Sequence, residues 1–127
     1  MSVPFDSRQG LVVVRAEVTG PAGSAVLRLA LDTGASVTLI NTAIAVSIGY
    51  DPSSVANRLQ ITTGSGVEFA PKIEVESVRA LGRVQEGFSV VCHTLPPSAG
   101  VDGLLGLDFL RDCRLTIDFR SGQIVLN

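Results

Sequence analysis

Histidine, cysteine and charge are all scarce in this chain. One histidine, His93, and two cysteines, Cys92 and Cys113, stand among 127 residues. Two cysteines are too few for a disulfide framework or a tetrahedral zinc site. Both lie in apolar runs and read as buried thiols. A thiol protease needs a histidine base beside its nucleophile. His93 follows Cys92 directly in a strand-like run, where adjacent side chains point to opposite faces. A Cys-His dyad within one chain is therefore excluded. Charged residues make up 17% of the chain, against roughly 25% in an average globular protein. Ten basic and twelve acidic residues leave a net charge of -2, with no basic run to follow a phosphate backbone. That argues against nucleic acid as a partner.

Neither a membrane span nor an export signal is expected from the given sequence. Met1 to Gln9 reads MSVPFDSRQ and has no apolar h-region. One long uncharged stretch, Thr33 to Tyr50, contains six of Ser, Thr or Asn and is too polar for a spanning helix. A soluble, cytoplasmic protein without membrane contact is expected. Among the acids, Glu74, Glu76 and Glu86 read as solvent-facing strand residues, and Asp102, Asp108 and Asp112 suit turns and a helix start. No histidine or EF-hand spacing supports a metal site built from them. Neither a metal nor a cofactor is expected.

Apolar material, by contrast, is plentiful. Hydrophobic residues reach 46% and the mean hydropathy is +0.40, which excludes disorder because burial can offset chain entropy. The length suits one domain. A small chain has a large surface relative to its volume, so one this apolar is expected to bury part of its surface against a second copy.

Periodicity points to strands almost throughout. Leu11 to Val18 and Ala25 to Leu31 flank the turn cluster Thr19 to Gly23. Arg58 to Thr63 and Val67 to Phe69 flank Gly64-Ser65-Gly66, a hairpin signal. Lys72 to Glu76 and Cys113 to Phe119 alternate polar and apolar residues. Phe88 to Thr94 ends at Pro96-Pro97, and Ile124 to Leu126 follows a turn at Ser121-Gly122. Helix is confined to a segment from the Asn41 cap through Ile48, stopped by Gly49, and a shorter one over Leu107 to Asp112. The pattern predicts an all-β sandwich or barrel with one or two short helices.

The chemistry-bearing segment is Leu29-Ala30-Leu31-Asp32-Thr33-Gly34-Ala35-Ser36. Asp-[Ser/Thr]-Gly alone arises by chance in about one chain of this length in twenty, and its plain reading is a turn that ends a strand. Its surroundings narrow the reading. Three aliphatic residues precede it, and the apolar run Val37 to Ile40 follows after Ala35-Ser36. A solvent-facing turn is not usually enclosed in this way, so partial desolvation of the acid is expected. A second element, Val101-Asp102-Gly103-Leu104-Leu105-Gly106-Leu107-Asp108-Phe109-Leu110, lies farther along.

Together these motifs resemble the retropepsin-like aspartic proteases, the single-lobe family of retroviral proteases and their cellular relatives. The resemblance runs from about Leu11 to Asn127, leaving residues 1–10 as an N-terminal arm and 11–127 as the protease domain. It implies a closed barrel or sandwich with a flap hairpin, working as a homodimer. Aspartic proteolysis uses two carboxylates around one water, one ionised and one protonated. The chain has a single Asp-[Ser/Thr]-Gly, so the resemblance implies that Asp32 meets Asp32 of a second copy across a two-fold axis. It further implies that Thr33 hydrogen-bonds across that axis and that Gly34 allows close approach. Ala35 completes the active-site support. Ser36, Leu104, Leu105 and Gly106 would contribute to substrate binding, with Gly64, Ser65 and Gly66 as the flap tip. Ala35 stands where two-lobed relatives often carry a serine hydroxyl, so activity is expected to extend toward weakly acidic or near-neutral pH.

Two positions depart from the retroviral pattern. An Asp after Asp-Thr-Gly-Ala and an Arg after the apolar-apolar-Gly often pair there; here they are Ser36 and Leu107. Both partners are missing together, so no charge is left unpaired, and the change implies a different interface. The expected activity is hydrolysis of peptide bonds. The alternative is a non-catalytic dimerisation or peptide-binding module on the same fold.

Overall fold

The computed structural model describes residues 1–127, with the side chain of Thr63 excepted. Its strands are β1 (Ser2–Pro4), β2 (Val13–Gly20), β3 (Gly23–Leu31), β4 (Leu39–Asn41), β5 (Arg58–Thr63), β6 (Gly66–Ala80), β7 (Arg83–His93), β8 (Gly103–Leu105), β9 (Leu115–Asp118) and β10 (Gln123–Leu126). Two short helices, α1 (Thr42–Ser47) and α2 (Leu107–Leu110), accompany them.

Two long hairpins supply the frame. β2 and β3 pair antiparallel from Val13↔Ala30 to Gly20↔Gly23, and alternation turns Val14, Ala16 and Val18 inward while Arg15 points out. β6 and β7 pair across Leu81-Gly82, both with positive φ (54° and 77°), the conformation of a tight hairpin turn that follows strand twist. The hairpins join through Ala16↔Ala80 to Thr19↔Ser77. On the other side β8 lies parallel to β3 and antiparallel to β4, and β4 runs parallel to β7. The circuit β2-β3-β8-β4-β7-β6 therefore closes on itself as a six-stranded barrel without free edges.

Inside lie Leu27, Leu29, Ile40, Val75, Val90 and Leu105, with Phe109 fully buried among them. The Phe109 ring meets Phe88 edge-to-face, with centroids 5.8 Å apart. Each such side chain contributes about 1.5–3 kcal/mol by leaving water.

The element boundaries follow the sequence pattern closely, with instructive differences. The runs Val67 to Phe69 and Lys72 to Glu76 belong to one continuous strand, β6. Pro71 stands where β6 exchanges partners, opposite Arg58 of β5 on one side and followed by Lys72 opposite Val91 of β7. A residue without an N–H is tolerated at such a point. The first half of β6 thus forms a projecting hairpin with β5, outside the barrel. Helix α1 has the cap read from its sequence: the Asn41 side chain accepts from the Ala43 N–H at 3.3 Å, and Gly49 follows with φ +104°. Helix α2 is a single turn and ends at Leu110; Asp112 has left-handed backbone at φ +65°.

Residues 2–4, within the segment read as an arm, form strand β1. It pairs with β10, and β10 with β9, in a separate three-stranded sheet. No helix among the described residues is long and apolar enough to cross a membrane.

Candidate active site

Asp32 sits where β3 leaves the barrel. The Leu31 N–H donates to Val12 O at 2.8 Å, and the Asp32 N–H donates to Leu105 O at 3.0 Å. The chain then turns sharply. The Ala35 N–H returns to Asp32 O at 3.2 Å, and the Gly34 N–H donates to the Asp32 carboxylate Oδ1 at 2.9 Å. Asp32 is half-buried, and Thr33 and Gly34 on the outer side of the turn are exposed.

The second motif crosses directly behind this loop. The Leu107 N–H donates to Ala35 O at 2.8 Å. A Cβ on Gly106 would stand 2.6 Å from Val37 O and 2.9 Å from Ala35 O, so only glycine allows the two backbones to lie this close. Gly103 is under the same constraint against Leu39 O. Thr38, the buried polar residue of the region at 1% exposure, links the two segments. Its Oγ1 donates to Asp108 Oδ1 at 2.7 Å and accepts from the Gly106 N–H at 3.1 Å, while its own N–H donates to Asp108 Oδ2 at 2.9 Å.

The loop borders an open cleft of about 710 Å³, within the range of peptide-sized and small-molecule sites. Gly34, Ala35 and Ser36 form its floor, Val101 and Leu104 one wall, and Leu59 and Ile61 of the projecting hairpin its roof. His93 also lines it, with Nδ1 3.5 Å from Glu68 Oε2 on β6. The lining is mostly aliphatic, so the cleft suits apolar side chains.

The structure thus brings Gly34, Ala35, Ser36 and Leu104 together around one cavity, while Asp32 and Thr33, which precede Gly34 in the loop, are not among the residues that line it. Leu105 is fully buried in the barrel core, and Gly106 is packed against the loop carbonyls behind the cleft. Gly64, Ser65 and Gly66 form the exposed hairpin tip, beyond the residues that line the cavity. Thr63↔Gly66 is the last pair, and Gly66 has φ +127°. Sequence reasoning passed over the cleft residues His93, Val101, Leu59 and Ile61 and the Thr38–Asp108 pair. Thr38 did carry a signal. A lone hydroxyl inside the apolar run Val37 to Ile40 needs a partner once buried.

Other chemistries find little support. Cys92 is buried, and desolvation pushes its thiol up to about 11, far from a reactive thiolate. Cys113 is half-buried and lies against the Arg83 guanidinium. Among the described residues no cluster of three or more His, Cys, Asp or Glu could hold a metal. Asp108 is engaged with Thr38, whereas the Asp32 carboxylate accepts only within its own loop, from the N–H of the cleft residue Gly34, among the described hydrogen bonds.

Comparison with known proteins agrees with this geometry. A family model described as "gag-polyprotein putative aspartyl protease" matches residues 19–112. The fold is similar to the crystal structure of a retropepsin-like aspartic protease from Rickettsia conorii, with a TM-score of 0.74 and 21% identity over 100% of this chain and 89% of that one. No curated protein matches the chain significantly.

Proposed function

The chain belongs to the gag-polyprotein aspartyl protease family and has a retropepsin-like fold, and from that premise we propose that it is an aspartic endopeptidase active as a homodimer. One observation carries the reading. Asp32 bonds through its carboxylate to Gly34 of an apolar cleft lined in part by the projecting hairpin, on a loop whose outer residues Thr33 and Gly34 are exposed. A lone carboxylate is half of the machinery, and a two-fold axis beside the loop would supply the other half.

In the dimer the two Asp32 carboxylates share one proton, because like charges about 3 Å apart do not both ionise. The ionised partner takes a proton from the water between them as its oxygen attacks the peptide carbonyl. The protonated partner gives its proton to the carbonyl oxygen, forming a neutral tetrahedral diol. Collapse of the diol returns one hydroxyl proton to a carboxylate. The leaving nitrogen takes a proton from the pair as the C–N bond breaks.

The remaining roles follow the loop. Thr33 hydrogen-bonds across the axis, Gly34 lets the loops approach, and Ala35 keeps the turn compact. Ser36 and Leu104 contact the peptide at the cleft. The hairpin tipped by Gly64, Ser65 and Gly66 folds over it and excludes water.

Cleavage of a peptide library from acid to neutral pH, with Asp32→Asn as control, tests this reading. Wild-type protein is expected to cleave and the variant to be inactive while still folded and dimeric. A folded wild-type dimer that cleaves nothing leaves the non-catalytic peptide-binding module, and a chain that stays monomeric at high concentration removes the mechanism.

A further inference from the structure

We infer that Thr38 and Asp108 form an intrachain clamp that positions the Asp32 loop for catalysis. This rests on the endopeptidase reading above. Thr38 and Asp108 join the chain just after the Asp-Thr-Gly-Ala turn to the chain just after Leu104-Leu105-Gly106.

The clamp is densely bonded. Three donors converge on the Asp108 carboxylate: Thr38 Oγ1 and the Phe109 N–H on Oδ1, the latter at 2.9 Å, and the Thr38 N–H on Oδ2. Thr38 Oγ1 also accepts from the Gly106 N–H, which orients its own proton toward Asp108. Charge-assisted bonds of this kind are the strong ones, and burial raises the cost of leaving any of them unmade.

The clamp reaches Asp32 through the backbone. Fixing residues 106–108 against Thr38 fixes Leu107, whose N–H holds Ala35 O, and Leu105, whose carbonyl holds the Asp32 N–H. The Asp32 carboxylate accepts from the Gly34 N–H, inside the same loop. Its direction is therefore inherited from the loop backbone. Two such loops must meet at the dimer axis, so a displacement in each subunit is counted twice. A shift of about 1 Å in a reacting group can lower the rate by about 100-fold.

The test compares Thr38→Val, which keeps the shape but loses the hydroxyl, with Thr38→Ser, which keeps the hydroxyl, and with Asp108→Asn, which puts an NH₂ in place of one acceptor. We expect kcat per folded dimer, counted by sedimentation and circular dichroism, to fall about 10- to 100-fold in Thr38→Val and Asp108→Asn. KM should change little, and Thr38→Ser should stay near wild type. Hydrogen exchange reads the clamp independently of activity. In Thr38→Val the Asp32 and Leu107 amides should exchange faster while the β2–β3 hairpin keeps its protection. The inference is overturned if Thr38→Val loses activity only in proportion to lost folded dimer, if Thr38→Ser does no better, or if the Asp32 and Leu107 amides are unaffected. A wild-type protein without cleavage removes the endopeptidase reading instead, and the exchange measurement still judges the clamp.

Discussion

The imidazole of His93, at the end of barrel strand β7, faces the carboxylate of Glu68 on the projecting hairpin, with 3.5 Å between Nδ1 and Oε2. His93 and the roof residue Ile61 line the same cleft, and Ile61 is the register partner of Glu68. The contact therefore ties the projecting hairpin to the barrel strand β7 beside the cleft.

Breaking that tie should loosen peptide binding modestly. Both side chains are partly exposed, so the pair is worth about 1 kcal/mol or less. Glu68→Gln is expected to raise KM by less than about fivefold, with kcat preserved. Matched kinetics of the two proteins on one peptide check it, and an unchanged KM would remove the tie from the binding site.

Glycines of the two motifs should divide sharply. Gly106→Ala places a methyl against Val37 O and Ala35 O and should cost about 1–3 kcal/mol together with activity. Gly64 has open space around its Cβ position and no left-handed φ. Gly64→Ala should stay within about 0.5 kcal/mol of wild type. Urea unfolding of the two variants side by side is the measurement.

Phe109 is the largest fully buried side chain, and Phe88 and the Arg83 guanidinium pack on it at 5.8 and 6.0 Å between centres. Phe109→Ala should destabilise the protein by about 3–5 kcal/mol, a large share of ordinary domain stability. A midpoint shift in urea at constant slope would register it. Because Phe109 adjoins Asp108, the remaining folded fraction should also show reduced kcat.

Thiol reagents should not inhibit. Desolvation raises the Cys92 thiol to about 11, so its thiolate is scarce at neutral pH and the side chain is enclosed. Mass spectrometry after iodoacetamide treatment should find Cys92 unmodified in the native protein and modified once urea unfolds it. Rapid native labelling at Cys92 would contradict this placement.

Local pattern alone determined a good deal of this protein. The Asp-Thr-Gly-Ala turn, the long hairpin strands β2, β3 and β5, and the Asn41-capped helix were legible. Alternation, caps and turn residues act over a few neighbours, and strands of six to nine residues display several periods of them. Strands β1, β4 and β8 have three residues each, too few for a period to show, and their pairing partners lie far away in the chain. Closure of the barrel through β2 and β6 is likewise a long-range event that no window of sequence contains. Only the tertiary structure could decide that His93 and Val101 face the cleft, that Leu105 faces the core while Leu104 does not, and that Thr38 finds Asp108. A buried hydroxyl demands a partner by elementary solvation, but which carboxylate answers depends on how two distant segments cross.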